Sequence, residues 1–327
     1  MKPVILLIAD DQDIHATEVS KAIGTRATVV RFDGTKFRES LNITFRAGKE
    51  SVPKIDSNII IDGFKFNLGD IKGVLNREYV PPSFPNSFDP NAKNLDWSEH
   101  HDSFWGTLQV ADAVWVNHPL AERRASLKLE QLLLAQKYGL TIPETICSND
   151  PQEIEIFLGK HESVICKLLS QDFYINDNLE DELAVYTSEV SAKQILDSKK
   201  QLRVCPTLFQ SKINKVADIR VNVVGQNVFA AKIESQVHKA SEVDFRLIGN
   251  LELLTHTAYD LPDSIKSACL SFLEDSGLLF GAFDFALTPD GDHVFFEVNL
   301  AGNWLWIEYM LGFPISARIA DTLLRKT

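Results

Sequence analysis

The chain has few cysteines, and they are widely separated. Cys147, Cys166, Cys205 and Cys269 form no CxxC pair and lie mostly in apolar sequence, so we expect reduced thiols in the core. Basic residues are also scarce, since 33 Lys and Arg face 45 Asp and Glu and the net charge is −12. This balance argues against a surface that binds nucleic acid through counterion release. It does not exclude a local basic groove.

The apolar run at the N-terminus is too short to cross a membrane. It covers Val4–Ile8, and no small-residue cleavage site precedes the acidic pair at residues 10 and 11. The run therefore predicts a buried first strand and no signal segment. We expect a cytoplasmic protein with no membrane partner.

Several common motifs are absent from the sequence. It contains no G-x-x-x-x-G-K-[ST], no G-x-G-x-x-G, no H-E-x-x-H and no G-x-S-x-G. The absence of these motifs argues against P-loop, Rossmann and zincin proteins. A nucleotide can instead bind between two domains, where separated Lys and Arg side chains and Mg²⁺ balance its phosphates.

A β-hairpin is predicted in the last third of the chain. Two apolar runs, Gly281–Leu287 and His293–Asn299, flank the sequence Thr-Pro-Asp-Gly at residues 288–291. Pro, Asp and Gly in this order are typical of a tight turn between strands.

Three oxygen-bearing side chains share one face of this hairpin. Side-chain alternation places Phe295, Glu297 and Asn299 on one side of the second strand. In the pairing that the turn suggests, Asp284 lies opposite Phe295 and diagonal to Glu297, about 7–8 Å away at the backbone. Asp, Glu and Asn oxygens are suitable ligands for Mg²⁺. The alternative is solvated carboxylates at a sheet edge, but the surrounding phenylalanines make an unpaired charge costly.

The first 117 residues are predicted to form an α/β domain. Strands at residues 4–8 and 27–32 flank a helix from about His15 to Ile23, an opening βαβ-like unit. The other elements predicted here are a loop from Tyr79 to Trp97, a helix from Phe104 to Ala111 and a strand at residues 113–116.

Two further domains are predicted, at residues 118–208 and 209–327. The central one begins with a helix over residues 120–139 that ends at Gly139. The stripe predicted to face its core is Ala125, Leu129, Leu132, Leu133 and Gln136. The remaining predicted elements are a helix at 151–158, a strand at 163–168, a helix near 191–197, strands at 219–224 and 228–235, and the hairpin.

Ordered segments along the whole chain resemble a known enzyme family. They are Trp115–Pro119, Lys128–Leu132, Gly139–Thr145, Lys167, Tyr186–Thr187, Pro206–Gln210, Asp218–Val221, Val224–Ala231, Asp244–Arg246 and Asn299–Glu308. In these segments the chain resembles the ATP-grasp ligases, and within them the graspetide synthetases of the microviridin and marinostatin type. The resemblance implies a three-domain ATP-grasp fold, α/β and α+β, with a nucleotide cleft between the central and C-terminal domains.

The resemblance also assigns the nucleotide-binding residues. It implies that Lys128 and Lys167 contact the ATP phosphates, whereas the alternative is two solvated lysines. It places the interdomain hinge, whose backbone groups read adenine, at five consecutive residues. These are Phe209, Gln210, Ser211, Lys212 and Ile213.

Two arginines and the metal ligands follow from the same resemblance. Arg220 and Arg246 would lie over the triphosphate and the developing acyl phosphate, where a guanidinium can bind two oxygens. Alternatively, each closes a structural ion pair with a nearby Asp, for which Asp218 and Asp244 are candidates. The family's metal positions match Asp284, Glu297 and Asn299.

The sequence departs from the family pattern at four places. Leu300 and Asn303 stand where relatives usually carry Pro and Gln. Ser211 stands where related ligases carry an acidic residue, so ribose binding stays unassigned. Ser170–Asn178 is poor in glycine for a loop that covers phosphates.

The implied reaction is ATP- and Mg²⁺-dependent macrocyclisation of a peptide. A Glu or Asp side chain of a ribosomal precursor peptide, made of leader and core, becomes an acyl phosphate, and a Ser, Thr or Lys side chain then displaces phosphate. Alignment and charge stabilisation accelerate such phosphoryl transfer. Related ligases are usually homodimers. Two alternatives stay open: a RimK-like ligase that adds amino acids to a peptide or protein, and a nucleotide- or peptide-binding protein without turnover.

Overall fold

A computed structural model of the chain describes residues 2–47, 56–77, 79–80, 93–169, 173–175, 182–184 and 187–325. The chain forms two compact units. The first contains Met1–Ala121, Gly277–Phe280 and Ala301–Thr327, and the second contains Glu122–Ser276 and Gly281–Leu300. The division into domains at residues 117/118 and 208/209 stays a prediction. Tyr186 and most of Ser170–Asn178 lie outside the described residues.

The secondary structure alternates between strands and helices. The helices are α1 (Ile14–Ile23), α2 (Phe37–Ser40), α3 (Lys93–Leu108), α4 (Pro119–Ala125), α5 (Lys128–Lys137), α6 (Pro151–Leu158), α7 (Ala192–Asp197), α8 (Lys199–Leu202), α9 (Asp263–Asp275), α10 (Leu305–Leu311) and α11 (Ile315–Leu323). The strands are β1 (Val4–Ile8), β2 (Thr28–Phe32), β3 (Leu41–Arg46), β4 (Asp56–Ile61), β5 (Phe64–Phe66), β6 (Ile71–Asn76), β7 (Val114–Val116), β8 (Thr145–Ser148), β9 (Val164–Lys167), β10 (Phe173–Ile175), β11 (Glu182–Ala184), β12 (Ser188–Val190), β13 (Thr207–Ser211), β14 (Ala217–Val224), β15 (Asn227–Ile233), β16 (His256–Ala258), β17 (Phe280–Leu287) and β18 (His293–Asn299). Within the described residues, no helix is both long enough and apolar enough to span a membrane.

The first unit contains the predicted βαβ element. A parallel sheet has the order β2-β1-β6-β7, and every residue of β1 is buried, as expected for a parallel strand covered on both faces. Asp13 caps α1, because its Oδ1 accepts a hydrogen bond from the Ala16 N–H at 2.6 Å. A second, antiparallel sheet has the order β3-β4-β5.

The predicted loop over Tyr79–Trp97 is wrong at its end, because α3 begins at Lys93 and not at residue 104. No proline follows Pro90 until Pro119, so none interrupts a helix over residues 93–108. Phe104 and Leu108 anchor the helix in the core of the first unit. Residues 81–92 of the predicted loop lie outside the described residues.

The predicted helix over residues 120–139 is two helices, α4 and α5. The backbone of Leu127 is extended between them, and Gly139 ends the segment with φ +79°, as predicted. The predicted core stripe is wrong at Leu129, Leu133 and Gln136, which are exposed, whereas Gln131 is buried. The break after α4 rotates α5 relative to a continuous helix, and a single helical periodicity cannot anticipate that rotation.

The second unit contains two sheets on which most of the predicted site residues lie, whereas Lys128 lies on α5. An antiparallel sheet has the order β12-β9-β13-β8, and a five-stranded sheet has the order β16-β15-β14-β17-β18. Strands β10 and β11 form a separate pair. The four cysteines are free, and Cys205 is exposed, so the predicted core position is wrong for that residue.

Within the first unit, the side chain of Asn117 binds the backbone at the start of β17 through hydrogen bonds. Its Oδ1 accepts hydrogen bonds from the backbone N–H groups of Leu279 and Phe280, each at 2.9 Å. Its Nδ2 donates to the Phe280 carbonyl at 2.9 Å. The side chain is 1% exposed, so water cannot replace these bonds.

Replacing Asn117 by alanine should lower the free energy of unfolding by about 3 kcal/mol, because buried backbone groups lose their partners and each costs about 1–3 kcal/mol. Urea denaturation measures the change. Asn149→Ala, at an exposed residue, is the matched control and should stay within about 0.5 kcal/mol of the parent. Equal stability of the two variants would contradict the prediction.

Candidate active site

The hairpin is present, but its register differs from the predicted one. Phe285 pairs with Phe295, and after an irregularity between Asp284 and Phe285 the next pair is Asp284 with Glu297. Phe296 is the extra residue of a β-bulge, which turns the side chains that follow it. Asp284 is therefore directly opposite Glu297, and the predicted diagonal arrangement is wrong.

The bulge also separates two adjacent phenylalanines. Phe295 is fully buried, and its ring lies 5.7 Å from the ring of Phe285 and 6.2 Å from that of Phe283. The prediction that Phe295 shares a face with Glu297 and Asn299 is thus wrong. The Phe296 ring lies instead 4.9 Å from Lys167 Nζ.

The structure brings the three predicted metal ligands together. Asn299 Nδ2 donates to Asp284 Oδ2 at 2.9 Å and lies 3.5 Å from Glu297 Oε1. The carboxylates are largely buried, with side-chain exposures of 18% for Asp284 and 13% for Glu297. Rotation of the Asn299 amide would turn its Oδ1 toward the same point.

These donors fit Mg²⁺ by their chemistry. Among the described residues, no group of three or more His, Cys, Asp and Glu side chains could hold a metal; the cluster at this position combines two acids with one amide. Mg²⁺ commonly takes one or two carboxylates and completes its coordination with phosphate and water. Their role as metal ligands stays a prediction.

Arg220 pairs with Asp284 and not with Asp218. Its Nη1 donates to the two carboxylate oxygens of Asp284 at 2.9 and 2.8 Å. Lys215 binds both oxygens of Asp218, at 2.7 and 2.8 Å. Arg220 therefore belongs to the cluster of predicted metal ligands, and the alternative pairing with Asp218 is wrong.

Arg246 forms the ion pair considered as its alternative role. Its Nε and Nη2 donate to the carboxylate of Asp244 at 2.9 and 2.7 Å. The Arg246 side chain is 40% exposed, whereas that of Asp244 is 6% exposed. This pair is close to solvent on the arginine side, so the guanidinium can also reach an anionic ligand.

Two lysines approach Glu297. Lys128 Nζ lies 3.4 Å from Glu297 Oε2, and Lys167 projects from the end of β9. Burial alone would raise the pKa of Glu297, but Lys167, Lys128 and Arg246 outweigh it and lower that pKa to about 2. Glu297 is therefore ionised at neutral pH.

Burial determines the direction of the pKa shift for two other groups of the cluster. It lowers the pKa of Lys167, partly offset by Glu297. It raises the pKa of Asp284, which Arg220 opposes. The site is a compact, partly desolvated set of charges, in which binding an anion or a cation changes several interactions at once.

The predicted hinge borders a cavity of about 390 Å³. Ser211, Lys212 and Ile213 line it, together with Lys215 and Glu242, and this volume is in the range of small-molecule sites. The side chains of Phe209 and Gln210 are buried in their sheet.

Two hinge N–H groups already have partners. Those of Ser211 and Lys212 donate to the carbonyls of Glu144 and Ser163, each at 2.9 Å. Adenine recognition therefore needs other backbone groups of this segment, and it stays a prediction.

Arg77 organises the loop after β18, and the sequence interpretation missed it. In the first unit its Nη1 donates to the Ala301 carbonyl at 2.7 Å and its Nη2 to Asn303 Oδ1 at 3.1 Å. The guanidinium also lies 4.7 Å from the Trp304 ring centroid. Asn303, which departs from the family pattern, thus has a defined partner. The available signal was a charged residue directly after a buried parallel strand, where functional side chains often lie.

Solved structures resemble the whole chain. No protein-family model matches the sequence, and no curated protein sequence matches it. A RiPP-associated ATP-grasp ligase from Chryseobacterium gregarium is 28% identical with a TM-score of 0.89, covering 98% of this chain and 96% of that chain. The macrocyclases MdnC and MdnB of Microcystis aeruginosa are 28% and 30% identical, with TM-scores of 0.84 and 0.79, each covering 98% of this chain and 99% of its own.

The chain belongs to the graspetide-type ATP-grasp ligases. It has the ATP-grasp fold and is an ATP-dependent ligase, so the family, fold and enzyme class predicted from the sequence are confirmed.

Proposed function

We propose that this ligase activates Asp or Glu side chains of a ribosomal precursor peptide and closes ester or amide macrocycles. The observation that carries the proposal is the cluster in which Asp284, Glu297 and Asn299 meet Arg220 and Lys128. The Chryseobacterium gregarium ligase was solved with ADP and a leader and core peptide, and MdnC with its precursor peptide. We infer the same classes of ligand for this chain.

The proposed reaction has two steps, acyl-phosphate formation and displacement of phosphate. A carboxylate oxygen of the peptide attacks the γ-phosphorus of ATP, and the bond to ADP breaks. A hydroxyl or amine of the same peptide then attacks the acyl carbon, loses its proton and releases phosphate. Each crosslink therefore removes the atoms of one water from the peptide.

The residues of the cluster supply charge and alignment. Lys128 and Lys167 would bind phosphate oxygens, and Arg220 and Arg246 would stabilise the transferring phosphoryl group, because preorganised cations favour the charge distribution of the transition state. Bound Mg²⁺, held by Asp284, Glu297 and Asn299, would neutralise phosphate charge. The mechanism needs no nucleophilic side chain from the protein.

The cavity at residues 211–213 is the proposed nucleoside end of the ATP site. Its volume of about 390 Å³ suits a nucleoside, and it adjoins Lys215, whose Nζ lies 5.8 Å from the Phe296 ring. Phe296 also neighbours Lys167, so this ring links the cavity to the lysine proposed to bind phosphate.

The test is mass spectrometry of the peptide encoded beside the gene. Incubation with the protein, ATP and Mg²⁺ should lower its mass by one water per crosslink, and omission of ATP is the control. An unchanged mass would count against the proposal. A mass gain would favour a RimK-like ligase, and nucleotide-induced thermal stabilisation without phosphate release would favour a binding protein.

Homodimerisation and a cytoplasmic location complete the proposal. The four free cysteines suit a reducing compartment in which ATP is available. Light scattering coupled to size-exclusion chromatography should report twice the 36.7 kDa mass of the chain.

A further inference from the structure

The strand that carries two of the proposed metal ligands lies at the edge of its sheet. β18 is the last strand in the order β16-β15-β14-β17-β18, so its outer backbone groups need partners from outside the sheet. Among the described residues, Thr141 supplies one, because its carbonyl accepts from the Phe295 N–H at 2.7 Å. Gln131 supplies two more, both at Val298.

Gln131 pairs with the backbone of Val298 as a neighbouring strand would. Its Nε2 donates to the Val298 carbonyl at 3.0 Å, and its Oε1 accepts from the Val298 N–H at 3.1 Å. The Nε2 also donates to the Ala125 carbonyl at 2.8 Å. The side chain is 4% exposed, so these bonds form in a low-dielectric interior, where a lost partner is costly.

Val298 is the residue between Glu297 and Asn299. Its own side chain is 3% exposed, so the core holds Val298 on one side while Gln131 holds its peptide groups. The orientation of both flanking side chains depends on the backbone at this point, because strand residues alternate between faces.

Helix α5 makes a second contact at the same place. Lys128 lies three residues before Gln131, on the same face of the helix, and its Nζ is 3.4 Å from Glu297 Oε2. One rigid helix thus places a cation beside Glu297 and an amide beside Val298. The distance between Lys128 and the metal ligands is set by this pair of contacts.

We propose that Gln131 is a positioning residue of the metal site, acting through the backbone of Val298. The inference rests on the proposed function, since it assigns Gln131 to the same site. Groups that orient metal ligands typically change metal affinity by about 10- to 100-fold when they are removed. A residue that serves the fold alone would lower stability and leave metal affinity unchanged.

The experiment uses Gln131→Met, which keeps the side-chain length and removes both hydrogen-bonding groups. The Mg²⁺ concentration that gives half-maximal activity should rise about tenfold or more, while KM for ATP at saturating Mg²⁺ stays within about twofold. Mn²⁺ should bind the complex of the variant with a non-hydrolysable ATP analogue about tenfold or more weakly than it binds the same complex of the parent. Hydrogen exchange at the Val298 amide should accelerate.

Gln136→Met is the matched control, because Gln136 is an exposed residue of the same helix. It should leave metal dependence and exchange unchanged. Gln131→Leu is the second variant, which also removes both hydrogen-bonding groups and adds no charge. It should give the same shift in metal affinity, and it serves as the test if the methionine variant does not fold.

A folded Gln131 variant whose Mg²⁺ dependence equals that of Gln136→Met would overturn the inference. Asp284→Asn and Glu297→Gln enter the same Mn²⁺ titration. If they weaken metal binding and the Gln131 variants do not, only the positioning role fails. If none of the variants weakens it, the proposed metal site itself is wrong.

Discussion

Replacing Glu297 by glutamine should reduce turnover by about a thousandfold, the loss typical when a group that stabilises transition-state charge is removed. Glu297 is directly opposite Asp284, and Lys128 and Lys167 keep it ionised. The neutral amide is nearly the same size but offers Mg²⁺ no negative charge. The measurement is ADP release at saturating ATP, Mg²⁺ and precursor peptide.

Glu153→Gln provides the control for the loss of one negative charge. Glu153 is an exposed residue of α6, and its replacement should leave turnover unchanged. Turnover of Glu297→Gln within tenfold of the parent would remove Glu297 from the proposed metal set.

Replacing Arg220 by methionine should affect both stability and catalysis. The ligand-free protein should lose about 3 kcal/mol of unfolding free energy, because a buried carboxylate, Asp284, loses the cation that contacts both of its oxygens. Turnover should fall by about 100- to 1,000-fold. Urea denaturation and ADP release measure the two effects.

The double variant Arg220→Met with Asp284→Asn separates these effects. It removes both charges, so much of the lost stability should return, while turnover stays low. Arg123→Met, at an exposed arginine, is the control and should stay within about 0.5 kcal/mol of the parent. If the double variant were less stable by the sum of the single changes, the two side chains would not be coupled in the folded protein.

In the hairpin, sequence patterns predict the strands and the turn but not the bulge. The turn at residues 288–291 and the two flanking runs predict β17 and β18 within one or two residues of their observed bounds. The bulge was not predictable, because Phe295 and Phe296 have identical side chains and alternation cannot say which one enters the core. Packing against Phe283 and Phe285 selects Phe295.

Helix boundaries show the same limit. The composition of residues 120–139 predicts helix, and most of these residues are helical. The burial of Gln131 depends on its hydrogen bonds to backbone groups of Ala125 and Val298, which the sequence does not reveal. A polar residue at a core position is hard to predict, because only its partners make burial favourable.

The sequence by itself predicted β1, β2, β7, β9, β14, β15, the hairpin with its turn and about half of the helices, and it proposed the side chains that carry the chemistry, but it did not predict β3–β6 or α9–α11. The predicted features arise from interactions between residues a few positions apart, and the family resemblance added their roles. Only the tertiary structure decided which groups meet. Arg220 and Asp284 are 64 positions apart, Asn117 and Phe280 are 163 apart, and Gln131 and Val298 are 167 apart. Each pair is selected by the packing of whole elements, because a buried polar group is stable only where the fold supplies its partner.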